Sequence, residues 1–161
     1  MQISIHAVGR LKAGPERDLF TRYADRFDKS GRACALGPLH LREINESRAA
    51  RAAARKDEEA ALLLKGADPG TTTLIVLHET GKLLTSRDVA DLLSQERDTG
   101  TADVAFLIGG PDGHGRAVHD AARSTLSLGR LTLPHGLARI ILAEQLYRAV
   151  TIISGHPYHR A

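Results

Sequence analysis

Val104-Ala-Phe-Leu-Ile108 is an unbroken apolar run, and Gly109-Gly-Pro-Asp-Gly113 follows it directly. A strand with one wet face alternates apolar and polar residues; a continuous apolar run predicts a strand buried on both faces, the hallmark of a parallel sheet. The glycines and Pro111 then end it abruptly. Thr72–Leu77, β-branched and apolar, reads the same way. Between the two lies a helical pattern to about Arg97, opened by Thr85 and Asp88 at the spacing of a capping box, with Gly81 as a turn before it. Strand, helix, strand is the unit from which parallel sheets are built.

Working outward, Ile3, Ile5 and Ala7 alternate with polar neighbours and predict a half-buried strand over 2–7. Leu19, Phe20, Tyr23 and Phe27 fall at helical spacing over 15–29. A short strand at Leu39–Ile44 follows. Asn45 is placed to cap a long Ala/Arg/Leu helix that stops near Gly66. Beyond the glycine loop come a helix from about Arg116 to Arg123 and a strand around Leu126–Leu133, interrupted at Gly129-Arg130. Pro134 suits the first turn of a last helix. That helix is apolar over more than half its circumference, so it must be buried on two sides, in the core or against another subunit. The pattern predicts an α/β fold, a mostly parallel sheet with helices on both faces, as a single domain over 1–161.

Composition sets bounds. A chain of 161 residues with 42% hydrophobic and 25% charged residues is a folded domain rather than a disordered tail, a collagen-like fibre or a disulfide scaffold. Cys34 is the sole cysteine, which excludes an intramolecular disulfide and suits a reducing cytoplasm. No apolar run approaches the ~20 residues that span a bilayer, and no signal peptide is visible at Met1. The expected location is cytoplasmic, with no membrane partner. The net charge of +3 permits an RNA partner without requiring one. Arg48, Arg51, Arg55 and Lys56 lie close together, either as a solvated helix face or as a contact surface.

Ligands of open α/β sheets bind beyond the carboxyl ends of strands. Gly9-Arg-Leu-Lys-Ala-Gly14 fits neither a phosphate loop nor a dinucleotide fingerprint and reads as a turn. The Gly109–Gly113 loop is either a sharp turn or a place where backbone approaches a ligand. Ser127-Leu-Gly-Arg-Leu-Thr-Leu-Pro-His135 is apolar yet irregular, which suits a flat heterocycle such as adenine held by main-chain hydrogen bonds. The tail Gly155-His-Pro-Tyr-His-Arg160 is a frayed end or a substrate-binding tail. His156 and His159, even with His135, lack metal-ligand spacing, so no metal is expected. Cys34 lies in no nucleophile motif.

Four motifs in order, Leu107-Ile-Gly-Gly-Pro-Asp-Gly113, Leu126-Ser-Leu-Gly-Arg-Leu-Thr-Leu-Pro-His135, Ala143-Glu-Gln-Leu-Tyr-Arg-Ala149 and Pro157-Tyr-His-Arg160, resemble the RlmH family of SPOUT methyltransferases, as does the opening Ile3-Ser-Ile-His-Ala-Val-Gly9. The likeness covers the whole chain. It implies a knotted SPOUT fold with a C-terminal trefoil knot, and S-adenosyl-L-methionine held by Leu77, Gly109, Leu128, Gly129, Arg130, Leu131, Thr132 and Leu133. It implies a homodimer whose partner completes each site. It also implies methylation of N3 of a pseudouridine in 23S rRNA on the assembled ribosome. Two positions depart from the family pattern: His78 stands where many members carry an acid, and His114 where Leu is usual.

Within that chemistry the electrophile arrives activated, and the protein's task is to align N3 with the methyl group and accept the N3 proton. His159 is the candidate for contact with the target base, with Tyr158 stacking or hydrogen-bonding beside it. Arg148 and Arg160 would hold phosphate or stabilise charge on the ring oxygen. Asp112 is a candidate for orienting cofactor or base.

Overall fold

The structure is a computed structural model that describes residues 1–67 and 70–158. Strands β1 (Gln2–Val8), β2 (Leu39–Ile44), β3 (Thr72–Leu83), β4 (Asp103–Ile108) and β5 (Ser124–Ser127) form one sheet in the order β2-β1-β4-β3-β5, every pair parallel. Helices α1 (Pro15–Gly31), α3 (Ser86–Asp98) and α5 (His135–Ile153) pack together on one face, while α2 (Ala52–Leu64) and α4 (Arg116–Ala121) cover the other.

The continuous apolar strands are explained by this layering. Val104, Phe106 and Ile108 of β4 join the larger core beneath α1, α3 and α5, whereas Ala105 and Leu107 join the core beneath α2 and α4. In β3, Ile75 goes one way and Leu74 and Val76 the other. The helix predicted at Thr85 forms with its capping box complete: the Thr85 hydroxyl accepts from Asp88 N–H and the Asp88 carboxylate accepts from Thr85 N–H.

Three local expectations give way to tertiary contacts. β1 is buried on both faces rather than one. Ser4 and His6 look like a wet face in sequence, but the Ser4 hydroxyl donates to Asp103 (2.9 Å) and His6 Nδ1–H donates to the Leu63 carbonyl (2.8 Å). Asn45 does not cap α2, which begins only at Ala52. Residues 45–51 are irregular because other groups take their backbone: Ser47 N–H donates to Glu59 (2.9 Å), and Arg55 donates to the Ala49 and Ala50 carbonyls (2.9 and 3.2 Å). Gly81 is not a turn. It lies within β3 where the register against β5 slips, and a Cβ there would stand 2.6 Å from the Leu126 carbonyl carbon, so glycine is needed for close strand approach.

One charged residue sits in the middle of the apolar last helix. Arg139 is fully buried, and its guanidinium donates to the carbonyls of Val8 (2.6 Å) and Gly9 (2.9 Å) and to Glu43 (2.7 Å). Glu43 also accepts from Leu11 N–H (2.7 Å) and Arg17 (3.2 Å). Burial lowers the Arg139 pKa and the Glu43 carboxylate opposes that shift; an arginine remains charged throughout the working range. This joint fastens the first turns of α5 to the ends of β1 and β2. Removing one partner of a buried pair strands the other. Arg139→Met is therefore expected to lower stability by about 3 kcal/mol in urea denaturation at neutral pH; an unchanged midpoint would show that the joint carries no stability.

Candidate active site

Strands β4, β3 and β5 are neighbours, so residues 109–115 after β4 and 128–134 after β5 come beside His78 and Glu79, the part of β3 just past its pairing with β4. With the start of α5 they enclose a cavity of about 520 Å³, a size ordinary for a small-molecule site. Leu77, Ile108, Leu128, Leu131 and Leu133 give it apolar walls, and Gly109, Gly113 and Gly129 leave backbone bare between them. Ser127 fixes the entry to the last loop, its hydroxyl donating to the Gly129 carbonyl (2.8 Å) and accepting from Gly129 N–H (3.2 Å). Gly129 has φ 128°, a region that side chains rarely adopt.

The lining is unusual in charge. Among the described residues it contains two carboxylates, Glu79 and Asp112, and neither lysine nor arginine. Asp112 is gripped by Arg55 through two hydrogen bonds (2.6 and 3.2 Å), and this partner holds its carboxyl below the usual range. Such a cavity suits an apolar heterocycle with or without positive charge. It offers no cation to a nucleotide phosphate.

His114 forms part of the wall and is 7% exposed. Its Nε2 lies 3.2 Å from the Leu77 carbonyl, which can only accept, so Nε2 carries the proton. Nδ1 is buried with no partner among the described residues. Burial pushes the pKa down to about 4, helped by the nearby rings of His119 and His78. The three rings meet edge to face, His119 at 5.8 Å from His114 and 5.6 Å from His78.

Known proteins resemble this chain over its whole length. Residues 1–159 match the family model described as "Predicted SPOUT methyltransferase". The chain is 56% identical over 161 residues to a protein of Sinorhizobium fredii named Ribosomal RNA large subunit methyltransferase H, covering 100% of both chains. It is 54% identical over 160 residues to the protein of that name from Rhizobium leguminosarum bv. trifolii, covering 99% of each. The chain belongs to the RlmH family of SPOUT methyltransferases. Among solved structures, the SpoU methyltransferase AviRb of Streptomyces viridochromogenes, in complex with AdoMet, aligns with 94% of this chain at 16% identity and a TM-score of 0.46, and the chain spans 57% of that protein's length.

Of the residues that the family motifs single out, Leu77, Gly109, Leu128, Gly129, Leu131, Thr132 and Leu133 line the cavity together, with Asp112. Arg130 belongs to the same loop but its side chain is exposed and outside the lining. Arg148 and Tyr158 lie elsewhere, on the face shared by α1 and α5. Arg148 donates to Glu144 and sits over the Tyr158 ring (5.0 Å), Tyr158 O–H donates to Glu144 (3.1 Å), and the Tyr158 ring packs on Tyr147 at 4.6 Å. Glu144 is nine positions beyond His135, about 13 Å along the helix at 1.5 Å per residue. His159 and Arg160 lie outside the described residues.

Sequence reasoning missed Arg55 as the partner of Asp112, since the pair is separated by 57 positions. It also missed Arg139, whose one signal was a charge within an apolar helix.

The pKa of His114 makes a pH prediction. Its folded value, about 4, lies below the 6.5 of an ordinary imidazole, so the unfolded chain binds the extra proton between them. The stabilisation is present above pH ~6.5 and is lost as pH falls toward 4. Across that window wild-type protein should lose about 3 kcal/mol more than His114→Leu, a difference of 2.5 pH units at 1.36 kcal/mol each. Parallel stability–pH curves for the two proteins would contradict this.

Proposed function

We propose that this protein transfers a methyl group from S-adenosyl-L-methionine to N3 of a pseudouridine in 23S rRNA on the assembled ribosome. It would act in the cytoplasm as a homodimer of single SPOUT domains spanning 1–161. The observation that carries the reading is the cavity at the sheet's carboxyl edge, apolar, lined by bare backbone and with neither lysine nor arginine in its lining. Leu77, Gly109 and 128–133, Arg130 included, would hold the cofactor's adenine ring through main-chain amides and carbonyls. Glu79 and Asp112 make the surroundings favourable to a sulfonium cation. When bound, the cofactor supplies a methyl group already activated for transfer. The loop 128–134 would be one of the cofactor-holding loops of the family's C-terminal trefoil knot.

The chain's own residues have two tasks. The first is to hold the target base in line, worth much of the rate in bimolecular transfers. The second is to accept the N3 proton. Tyr158 is unsuited to the second: burial and the Glu144 carboxylate push its phenol up to about 12, so it stays protonated and donates. It suits stacking and hydrogen bonding to the base. Arg148 and Arg160 suit the developing charge on the ring oxygen or a phosphate, Asp112 the orientation of cofactor or base, and His159 contact with the base.

The separation of the two clusters supports the homodimer reading. Within one chain Arg148 and Tyr158 do not reach the cavity, while Ile141, Ile152, Ile153 and Leu19 leave apolar surface on the same α1/α5 side. A second copy packed there would bring its tail to the cavity of the first.

The decisive experiment is mass spectrometry of large-subunit rRNA treated with purified protein and labelled cofactor. A new methyl on N3 of one pseudouridine is expected; a methyl on another nucleotide or on tRNA would replace the substrate assignment. His159→Ala should slow single-turnover methylation about 100-fold while leaving S-adenosylhomocysteine affinity within about twofold. Gly129→Val, which forces a β-branched residue into a strained conformation, should weaken that affinity at least ~10-fold by calorimetry.

A further inference from the structure

We propose that residues 45–51, with Arg10 of the β1–α1 loop, form a fixed cationic rim that holds the phosphate backbone of the RNA substrate at the mouth of the cavity. The inference rests on the RNA-methyltransferase reading above and assigns the surface it uses.

Arg48 and Arg51 are not on a solvated helix face. They project from a segment whose backbone is tied down at several points. Ser47 N–H donates to Glu59, its hydroxyl bonds Glu58, Arg55 donates to the carbonyls of Ala49 and Ala50, and Arg10 donates to the Asn45 side chain (2.8 Å). Yet the guanidiniums of Arg48 and Arg51 are exposed and have no hydrogen-bond or ion-pair partner among the described residues. A rigid backbone carrying free cations is preorganised for anions. Of the nearby acids, Asp112 is paired with Arg55, Glu58 and Glu59 accept from Ser47, and none of these or of Glu46 and Asp57 pairs with Arg48 or Arg51 among the described residues.

The segment borders the cavity at two places. Arg55 joins it to Asp112 in the cavity wall. At the other end, a Cβ on Gly9 would lie 3.3 Å from both Glu46 Oε1 and His135 Nε2, and His135 lines the cavity. Because the cavity lining holds neither lysine nor arginine, the permanent cations that would grip a polyanion presenting one base to it stand outside. The rim is where free cations stand. Phosphate contacts of this kind position a nucleic acid without reading its sequence.

The test compares wild type, Arg48→Ala/Arg51→Ala and Arg48→Lys/Arg51→Lys, using intact large ribosomal subunits as substrate and S-adenosylhomocysteine as cofactor probe. The alanine variant should keep wild-type S-adenosylhomocysteine affinity and kcat, raise KM for subunits about tenfold, and flatten the log–log salt dependence of binding by about 2, one for each lost phosphate contact. The lysine variant should restore most of the KM and the salt slope. Unchanged KM and slope in the alanine variant would overturn the proposal, as would a fall in kcat or in S-adenosylhomocysteine affinity at constant KM. A wild-type protein that fails to bind S-adenosylhomocysteine or to methylate subunits would instead bring down the methyltransferase reading itself, and the rim with it.

Discussion

A guanidinium with no access to water is costly unless protein groups replace the water it has lost. The two terminal nitrogens of Arg139 are held by two carbonyls at the end of β1 and one carboxylate at the end of β2, and its Nε has no partner among the described residues. These partners are fixed by the sheet, so the arginine fixes the early turns of α5 relative to the sheet. His135 and Ala138, one turn away, then stand at the cavity. The loop 128–134 is thereby held at both ends, by β5 before it and by this joint after it. An irregular apolar loop keeps a shape only when its ends cannot move, and the shape of the cavity follows from that.

Charge in this molecule is sorted by depth. The cavity is apolar, with carboxylates and a neutral buried imidazole. The rim at 45–51 is cationic, and the α1/α5 face carries a tyrosine–glutamate–arginine cluster. Coulomb attraction in a poorly solvated cavity is strong, so a cation inside would compete with a positively charged ligand, and moving cations outward avoids that conflict. Arg55 serves both zones: it neutralises Asp112 at the cavity and carries the backbone of the rim. His78 and His114, the positions that depart from the family pattern, meet at one wall. There Nε2–H of His114 holds the Leu77 carbonyl where family members with Leu have no donor.

How much of this was legible in the sequence depended on whether the cause was local. The first four strands, the parallel sheet and the capped α3 were readable because period, burial and capping act within a few residues; the last strand, expected around Leu126–Leu133, is only Ser124–Ser127, and 128–134 is loop. The α2 start was not: seven residues that look like its first turns are captured by Glu59, Arg55 and Arg10, each far enough along the chain that no pattern connects them. Gly81 looked like a turn because glycine most often is one, and the passing backbone of Leu126 is invisible in one dimension. Ser4 and His6 mimicked a wet face because their partners, Asp103 and Leu63, lie on other elements.

The site divides the same way. The amino-acid sequence by itself determined which loops are glycine-rich or apolar and irregular, and their motifs named the family and the residues to inspect. It could do so because backbone exposure and loop shape depend on residue type at adjacent positions. Only the tertiary structure decided that those segments close one cavity with neither lysine nor arginine in its lining, that Arg148 and Tyr158 stand apart from it in the same chain, and that Arg48 and Arg51 have no side-chain partner among the described residues. Those facts depend on distances between residues separated by tens of positions, and such distances are set by the packing of the whole sheet.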